Sequence, residues 1–186
     1  MKKGGENVNV MAYHSSFVAL AKTCKSKCGI PLLPLRTKTR GPAPLTTDFD
    51  AVDEAISFFR SNVLFRKFAI ESDADKLLIY LTLYISSCLK RLVSCPTAAE
   101  GAKNLFASAH EYFELDEALV LGGIINWPKS EEEGETLKTY LRQCREEIGI
   151  RLIDHCYVDE GTALNKFWMA FAKKKFMNKE LAAANY

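Results

Sequence analysis

The stretch KLLIYLTLYISSCLKRLV, residues 76–93, decides the fold of this chain. Its apolar residues cover nearly every side of a helix, and such a helix is buried in a large core or in a membrane. A membrane span needs about 20 mainly apolar residues, whereas this run contains Thr82, Ser86 and Ser87 together with Lys90 and Arg91. The stretch therefore predicts a central helix that other elements surround.

Length and charge narrow the class of protein. The chain has 186 residues, with 25 basic and 23 acidic side chains and a net charge of +2. This length suits one domain. Because the basic and acidic side chains are nearly equal in number, nucleic acid or anionic lipid is not expected as the main partner. Six cysteines without a secretory signal at the basic start are typical of reduced thiols in the cytoplasm.

Four Ser or Thr residues, each followed three positions later by an acidic residue, have the pattern of a capping box at a helix start. Each precedes a run in which apolar residues recur at spacings of three and four. The pairs are Thr47 with Asp50, Ser72 with Asp75, Thr97 with Glu100, and Ser130 with Glu133. With a last helix from Thr162 to about Met177, they predict an all-α fold of about five main helices.

Pro and Gly residues predict where these helices end. Pro96 ends the central helix, because its ring cannot continue an α-helix. The next helix is expected to run to about Ala109, and Gly149 is expected as the left-handed cap of the fourth helix. Residues 150–160 are then a connection between the fourth and the last helix.

The spacing of apolar residues predicts one apolar face on the first helix. Its members are Phe49, Val52, Ile56, Phe59 and Val63. The region of residues 110–129 is harder to interpret, since the run from Leu115 to Leu121 fits either a short helix or a strand.

The N-terminal part has no helical period. Residues 12–47 contain Gly and Pro residues with Leu32, Leu33 and Leu35 among them. A long irregular run in a compact domain is often functional or a linker. We expect residues 1–11 to be a disordered extension and residues 12–186 to be one helical domain. Within it residues 12–47 form an extended arm, which the leucines attach to its own domain or to a partner, and residues 48–181 form the helical core.

Patterns of catalytic and metal-binding residues are weak. Cys24 and Cys28 have a spacing that can bind zinc, but a structural site needs four ligands and no second matching pair follows. The three histidines have no nucleophile motif around them, and the two glycine pairs lack the spacing of a phosphate loop. We therefore expect no catalytic residue, cofactor or metal. A small cytosolic thiol enzyme using Cys156 or His155 stays as the alternative.

The C-terminal end combines basic and aromatic residues. Lys173, Lys174 and Lys175 lie between Trp168 and Lys179. Such a surface can bind nucleic acid through phosphate contacts and stacking, so a basic-aromatic nucleic-acid-binding module is a further alternative. A basic face that meets an acidic protein partner is the more interesting interpretation.

Several blocks of sequence, taken together, resemble one family. They are residues 74–92 (ADKLLIYLTLYISSCLKRL), 32–44 (LLPLRTKTRGPAP), 48–56 (DFDAVDEAI), 165–168 (NKFW) and 176–181 (FMNKEL). Taken in their order along the chain, they resemble subunit 3, the 21-kDa-class small subunit, of the actin-related protein 2/3 complex. The residues before Met11 and the region of about 93–130 depart from the family's pattern.

The resemblance implies a non-catalytic structural subunit. It implies an all-helical protein that docks on the larger actin-related subunit and supports nucleation of branched actin filaments. The implied partners are the actin-related proteins, the other subunits of a seven-subunit complex and the actin filament, with no nucleic acid and no membrane insertion. The implied location is the cytoplasmic actin cytoskeleton, at the cortex or in protrusions.

Two parts of the chain are expected to supply the contacts with partners. The candidate residues are Tyr13, His14, Leu32, Leu33, Leu35, Arg36 and Arg40 in the arm, and Lys173, Lys174, Lys175 and Lys179 near the C-terminus. We expect deletion of residues 12–45 to leave the helical core folded but to weaken incorporation into the complex.

Overall fold

A computed structural model of the protein describes residues 11–115, 119 and 122–181. Among these residues there are six α-helices: α1 (Val18–Ala21), α2 (Ala51–Asn62), α3 (Asp73–Leu92), α4 (Ala98–His110), α5 (Glu131–Cys156) and α6 (Lys166–Met169). Four two-residue strands form two antiparallel pairs: β1 (Ser26–Lys27) with β2 (Ile30–Pro31), and β3 (Tyr157–Val158) with β4 (Ala163–Leu164). The mainly helical prediction is confirmed, but the chain is not strictly all-α.

Helix α3 is the predicted central helix. It packs against α2, α4, α5 and β2, and nearly all of its side chains are buried. The buried hydroxyl groups of Thr82 and Ser86 are satisfied within the helix, since Thr82 donates to the carbonyl of Leu78 and Ser86 donates to that of Thr82. Ser72 and Asp75 form the predicted capping box. The helix ends at Leu92, so a short turn separates it from Pro96.

The predicted starts of α4 and α5 are confirmed, and that of α2 is wrong. Thr97 and Ser130 cap α4 and α5. Helix α2 is capped by Asp50, not by Thr47, because the Asp50 carboxylate accepts from the backbone N–H groups of Val52 and Asp53. A carboxylate is a strong N-cap and also favours the positive end of the helix dipole.

Helix α5 continues through Gly149, where the sequence predicted an end. It runs to Cys156, and most of the predicted connection of residues 150–160 is therefore helical. A Cβ atom on Gly149 would lie 3.4 Å from Cβ of Leu105. The glycine thus permits the close approach of α4 and α5, and it does not serve as a left-handed cap.

The predicted last helix is also wrong in length. Asn165 caps α6, which has only four residues, and the chain then turns until a 3₁₀ helix at Phe176–Asn178. Met177 and Asn178 both have φ of 54°. L-residues adopt this left-handed region only singly or in turns, so an α-helix cannot continue through it.

The N-terminal arm, residues 12–47, is irregular apart from α1 and a β-hairpin. Cys28 (φ 50°) and Gly29 (φ 77°) form the two-residue turn of that hairpin. Positive φ at both turn positions matches the twist of paired strands. The side chains of the arm join the same buried cluster as those of α2, α3 and α5.

Two predictions fall partly or wholly outside the described residues. The disordered extension concerns residues 1–11, of which only Met11 is described, and the run from Leu115 to Leu121 is described only at its first residue and at Leu119. Among the described helices, none is long and apolar enough to cross a membrane.

Candidate interaction surface

Two buried carboxylates hold the start of the arm. Asp75 of α3 accepts the backbone N–H of Ser15 at 2.8 Å, and Glu54 of α2 accepts that of Ser16 at 2.7 Å. The hydroxyls of Ser15 and Ser16 also donate to Glu54, at 2.7 and 2.6 Å. Hydrogen bonds from neutral donors to ionised acceptors are the stronger kind. The arm is therefore fixed at this point although it has no regular structure there.

Tyr13 and His14, two of the predicted site residues, lie beside this attachment. The Asn62 amide accepts from the N–H of Tyr13 and donates to its carbonyl, both at 2.8 Å. The His14 ring lies 3.1 Å from Asp75 and 3.5 Å from Glu71. The backbone at Tyr13 is thus fixed while the Tyr13 side chain is 54% exposed.

Leu32, Leu33 and Leu35, predicted as contact residues, lie inside this chain. All three are buried in its core, and the Tyr140 hydroxyl of α5 donates to the carbonyl of Leu33 at 3.0 Å. The sequence allowed the leucines to attach the arm either to its own domain or to a partner. In the structure they attach it to its own domain. We therefore treat them as packing residues.

Arg36 joins a cluster of charged groups between the arm, α2 and α5. Its N–H donates to Asp50 at 2.8 Å, and its half-exposed guanidinium pairs with Asp53 at 2.8 Å. Arg151 of α5 pairs with both aspartates and donates to the carbonyl of Arg36 at 2.7 Å. Burial alone would raise the pKa of Asp50, but hydrogen bonds from Arg151, Arg36 and Asp53 outweigh it and hold that pKa below its usual value. Arg40 is exposed.

Two stacked aromatic pairs lie near the start of the arm, and each has one ring that is more than half exposed. We call Tyr13, Phe17, Phe49 and Phe58 the aromatic face. Tyr13 stacks on Phe58 with ring centroids 5.0 Å apart, and Phe17 stacks on Phe49 at 6.4 Å. Side chains of this size that remain partly exposed are typical of contact surfaces.

Phe49 is 57% exposed, although the sequence assigned it to the apolar face of the first helix. The corrected helix start explains the difference. With Asp50 as the cap, Phe49 precedes the helix, in the position that often packs on the fourth helical residue as a hydrophobic staple. That fourth residue is Glu54, whose carboxylate binds the arm, so Phe49 has no apolar partner there. The position of the cap was the signal that could have identified this surface residue.

The basic end is only partly available for a partner. Lys173 and Lys174 are exposed, and Lys179 is half-buried. Lys175 pairs with Glu180 at 2.7 Å, as does Lys90 of α3. Hydrogen bonds from Lys175 and then Lys90 hold the pKa of Glu180 below its usual value. The lysine cluster and the aromatic face are not joined by any described hydrogen bond or ion pair.

The thiols are poorly placed for nucleophilic catalysis. Burial raises the pKa of Cys88 and of Cys156 to about 12, whereas a reactive cysteine has a lowered pKa. His155 packs against Trp168, with ring centroids 5.3 Å apart. In the part of the chain that the structure describes, no group of three or more His, Cys, Asp or Glu residues could hold a metal ion.

Comparison with known proteins gives one consistent family. The family model described as "P21-Arc: ARP2/3 complex ARPC3 (21 kDa) subunit" matches residues 10–181. Proteins named actin-related protein 2/3 complex subunit 3 from Arabidopsis thaliana and Dictyostelium discoideum are 48% and 38% identical to the chain. These matches cover 90% and 92% of the chain and 98% and 100% of the relatives. The Saccharomyces cerevisiae protein of the same name is 38% identical over 91% of the chain and 99% of its own length.

Proposed function

The chain belongs to the family of subunit 3, the 21-kDa subunit, of the actin-related protein 2/3 complex, and we propose that it is a non-catalytic structural subunit of such a complex. The observation that carries the proposal is the match over nearly the whole length of both this chain and its relatives. The burial and raised pKa of Cys88 and Cys156 do not favour the enzymatic alternative.

The subunit would act by binding and not by chemistry. It would hold the actin-related proteins and other subunits in the arrangement that nucleates a branched filament, and it would dock on the larger actin-related subunit. Its location would be the cytoplasmic actin cytoskeleton. The rigid attachment of the arm to α2 and α3 supports this role, because a preorganised surface loses little entropy on binding.

We place the docking surface on the aromatic face together with the exposed basic residues of the arm. Partly exposed aromatic side chains on a fixed backbone are the groups that most often dominate binding energy. Arg36 and Arg40 lie farther along the same arm and would add charge complementarity. The exposed Lys173 and Lys174 would meet an acidic surface of actin, of an actin-related protein or of a nucleation-promoting factor.

Affinity purification of the tagged full chain from a native cell extract tests the proposal. We expect both actin-related proteins and the remaining subunits to be recovered in equal amounts. Recovery of the chain without any actin-related protein would contradict membership of the complex.

Substitution in the aromatic face tests the surface separately. In the double variant Tyr13→Ala/Phe49→Ala, both lost side chains are more than half exposed, so the melting temperature of the chain should change little. Incorporation into the complex should weaken at least tenfold, which corresponds to about 1.4 kcal/mol. Phe106→Ala, which removes an exposed ring of α4 that lies 63% in solvent, is the matched control and should leave incorporation unchanged. Equal incorporation of both variants would remove the aromatic face from the proposal.

A further inference from the structure

Arg145 of α5 is a buried cation that pairs with no carboxylate among the described residues. It is 7% exposed, yet it makes no ion pair with any residue in the described parts of the chain. Its only hydrogen bond there runs from Nε to the Tyr80 hydroxyl at 2.8 Å. A buried charge is costly unless it is paired and hydrogen-bonded. The two terminal nitrogens of Arg145 therefore have hydrogen-bonding capacity that the described residues do not use.

Aromatic rings fix the direction from which a ligand can approach Arg145. The guanidinium carbon lies 3.5 Å from the ring centroid of Phe113 and 4.9 Å from that of Tyr84. Cation–π contacts cover the flat faces of a guanidinium. The edge in the plane of the guanidinium stays accessible to a ligand, and its N–H groups match the two oxygens of a carboxylate.

This residue lines a pocket of about 200 Å³ between α3, α4 and the C-terminal segment. The pocket also contains the buried hydroxyl of Tyr84, which lies near Ser108 but makes no hydrogen bond of good geometry with a described residue. Tyr112, at the rim, is 66% exposed. The pocket is thus large enough for one side chain and presents unused donors to it.

The charges in the pocket favour a single negative charge. Arg91 is paired with Glu111 through two hydrogen bonds of 3.0 and 2.6 Å, and Lys90 is paired with Glu180. The charges within each of these two pairs cancel. The described residues that line the pocket therefore carry a net positive charge of one, which comes from Arg145. A phosphate would bring more negative charge than this and would face the carboxylates of Glu111 and Glu180. One carboxylate would neutralise the site.

We propose that this pocket binds the carboxylate of an Asp or Glu side chain from a neighbouring subunit, with Arg145 as its paired cation. This inference rests on the proposed function, because it takes the neighbour to be a member of the complex. The neighbouring side chain enters past Tyr112 and accepts from the terminal nitrogens of Arg145 in the plane of the guanidinium. The site is a second contact, separate from the aromatic face.

The variant Arg145→Met separates a binding role from an internal one. Methionine keeps an unbranched apolar side chain at this position and removes the charge. We expect an unchanged or higher melting temperature of the isolated full chain and an affinity for the remaining subunits that is at least tenfold weaker. Arg142→Gln, which changes a partly buried arginine of the same helix that does not line this pocket, should leave both unchanged. A lower melting temperature with unchanged affinity would overturn the proposal, because the charge would then serve only this chain.

The variant Arg145→Lys identifies the source of the carboxylate. After assembly, a carbodiimide joins the lysine amine at position 145 to a carboxylate in direct contact, and mass spectrometry of the digest identifies both residues. We expect an Asp or Glu of another subunit. A cross-link to an acidic residue of this chain, or protection by inorganic phosphate with no cross-link, would overturn the proposal. Recovery of the intact complex in the same sample shows that the proposed function holds whichever cross-link is found.

Discussion

The N-terminal arm and the C-terminal segment, residues 165–181, both cover the helical core with little regular structure, but they are held in different ways. Core side chains bind the backbone of the arm, as Glu54 does at Ser16 and Gln143 does at Ala43. The C-terminal segment is held mainly by aromatic contacts, such as Trp168 on Phe59 with ring centroids 5.8 Å apart.

This difference changes what each segment contributes to stability. When the segment detaches, a buried carboxylate that had accepted a hydrogen bond from a backbone N–H is left as an unsatisfied buried charge. An aromatic contact loses only its apolar burial. The arm should therefore unfold together with the core, whereas the C-terminal segment should detach at a lower free energy.

Deleting the arm and deleting the C-terminal segment, each from a separate chain, should give the largest difference in thermal stability. Deletion of residues 12–45 removes Ile30, Leu33 and Leu35, which are fully buried. Each such loss costs about 2–5 kcal/mol, and a domain of this kind has only about 5–15 kcal/mol of stability. We expect no cooperative melting of the shortened chain. This reverses the expectation from the sequence that the helical core folds without the arm.

A second variant, in which residues 165–181 are deleted instead, is the matched comparison. It should keep a cooperative thermal transition by circular dichroism, at a lower temperature, because the α3 core remains closed by the arm. If both shortened chains melt in the same way, the two segments are equivalent and the contrast fails.

Asp50→Ala should have the next largest effect. It removes the cap of α2, the acceptor of the Arg36 N–H and the paired carboxylate of Arg151. Removal of one partner from a buried pair costs about 3–5 kcal/mol. Chemical denaturation measures the loss, and Asp48→Ala, an exposed neighbour, should change stability little. A loss below about 1 kcal/mol would mean that the arm does not depend on this cluster.

The same carboxylate predicts how stability changes with pH. The pKa of Asp50 is lower in the folded chain than in the unfolded chain, so its contribution is fully present above the unfolded value of about 3.9. It is lost as the pH falls from there through the folded pKa. The pH dependence of unfolding below about pH 4 should therefore be weaker in Asp50→Ala than in the unmodified chain. An identical pH dependence in both would contradict the lowered pKa.

In the C-terminal segment, Phe176→Ala should cost about 3 kcal/mol. Phe176 is 1% exposed and packs edge-on against Phe68 at 5.6 Å, and truncation of a buried phenylalanine leaves a cavity. Hydrogen exchange of the amide of Met177, which donates to the carbonyl of Phe65, should become faster while the amides of the arm stay protected. Faster exchange in the arm as well would show that the two segments unfold together.

The smallest effect is expected from Glu180→Gln. This residue pairs with Lys90 and Lys175 near the surface, and exposed ion pairs contribute at most about 1 kcal/mol. The difference from the unmodified chain should shrink further in high salt, because exposed charges are screened. Thermal melting at two salt concentrations measures this difference in stability. A loss of several kcal/mol in the free energy of unfolding that does not depend on salt would contradict a surface role.

The sequence predicted the features that depend on local chemistry. The caps at Ser72, Thr97 and Ser130 need only a hydroxyl and a neighbouring N–H, and all three are confirmed. Gly149 was misread because its role is tertiary: it admits Leu105 of another helix. The short α6 was misread because the aromatic spacing of a packed irregular segment resembles that of a helix.

The candidate surface was predictable only in part. Tyr13 stays a predicted contact residue with an exposed side chain, whereas the position of the arm leucines depends on donors and acceptors far along the chain. Tyr140, for example, binds the carbonyl of Leu33 across a separation of 107 residues. No local pattern shows such a pair, so the sequence alone could not decide whether the leucines contact this domain or a partner.

Hydrogen exchange of the unmodified full chain, followed residue by residue, compares the two segments most directly. The amides of Ser15, Ser16, Arg36 and Ala43 are each bound by a core side chain. They should exchange only through global unfolding, with the same protection as the amides of α3, whereas the amide of Met177 should exchange much faster. Arm amides that exchange as fast as that of Met177 would contradict the conclusion that the arm belongs to the core.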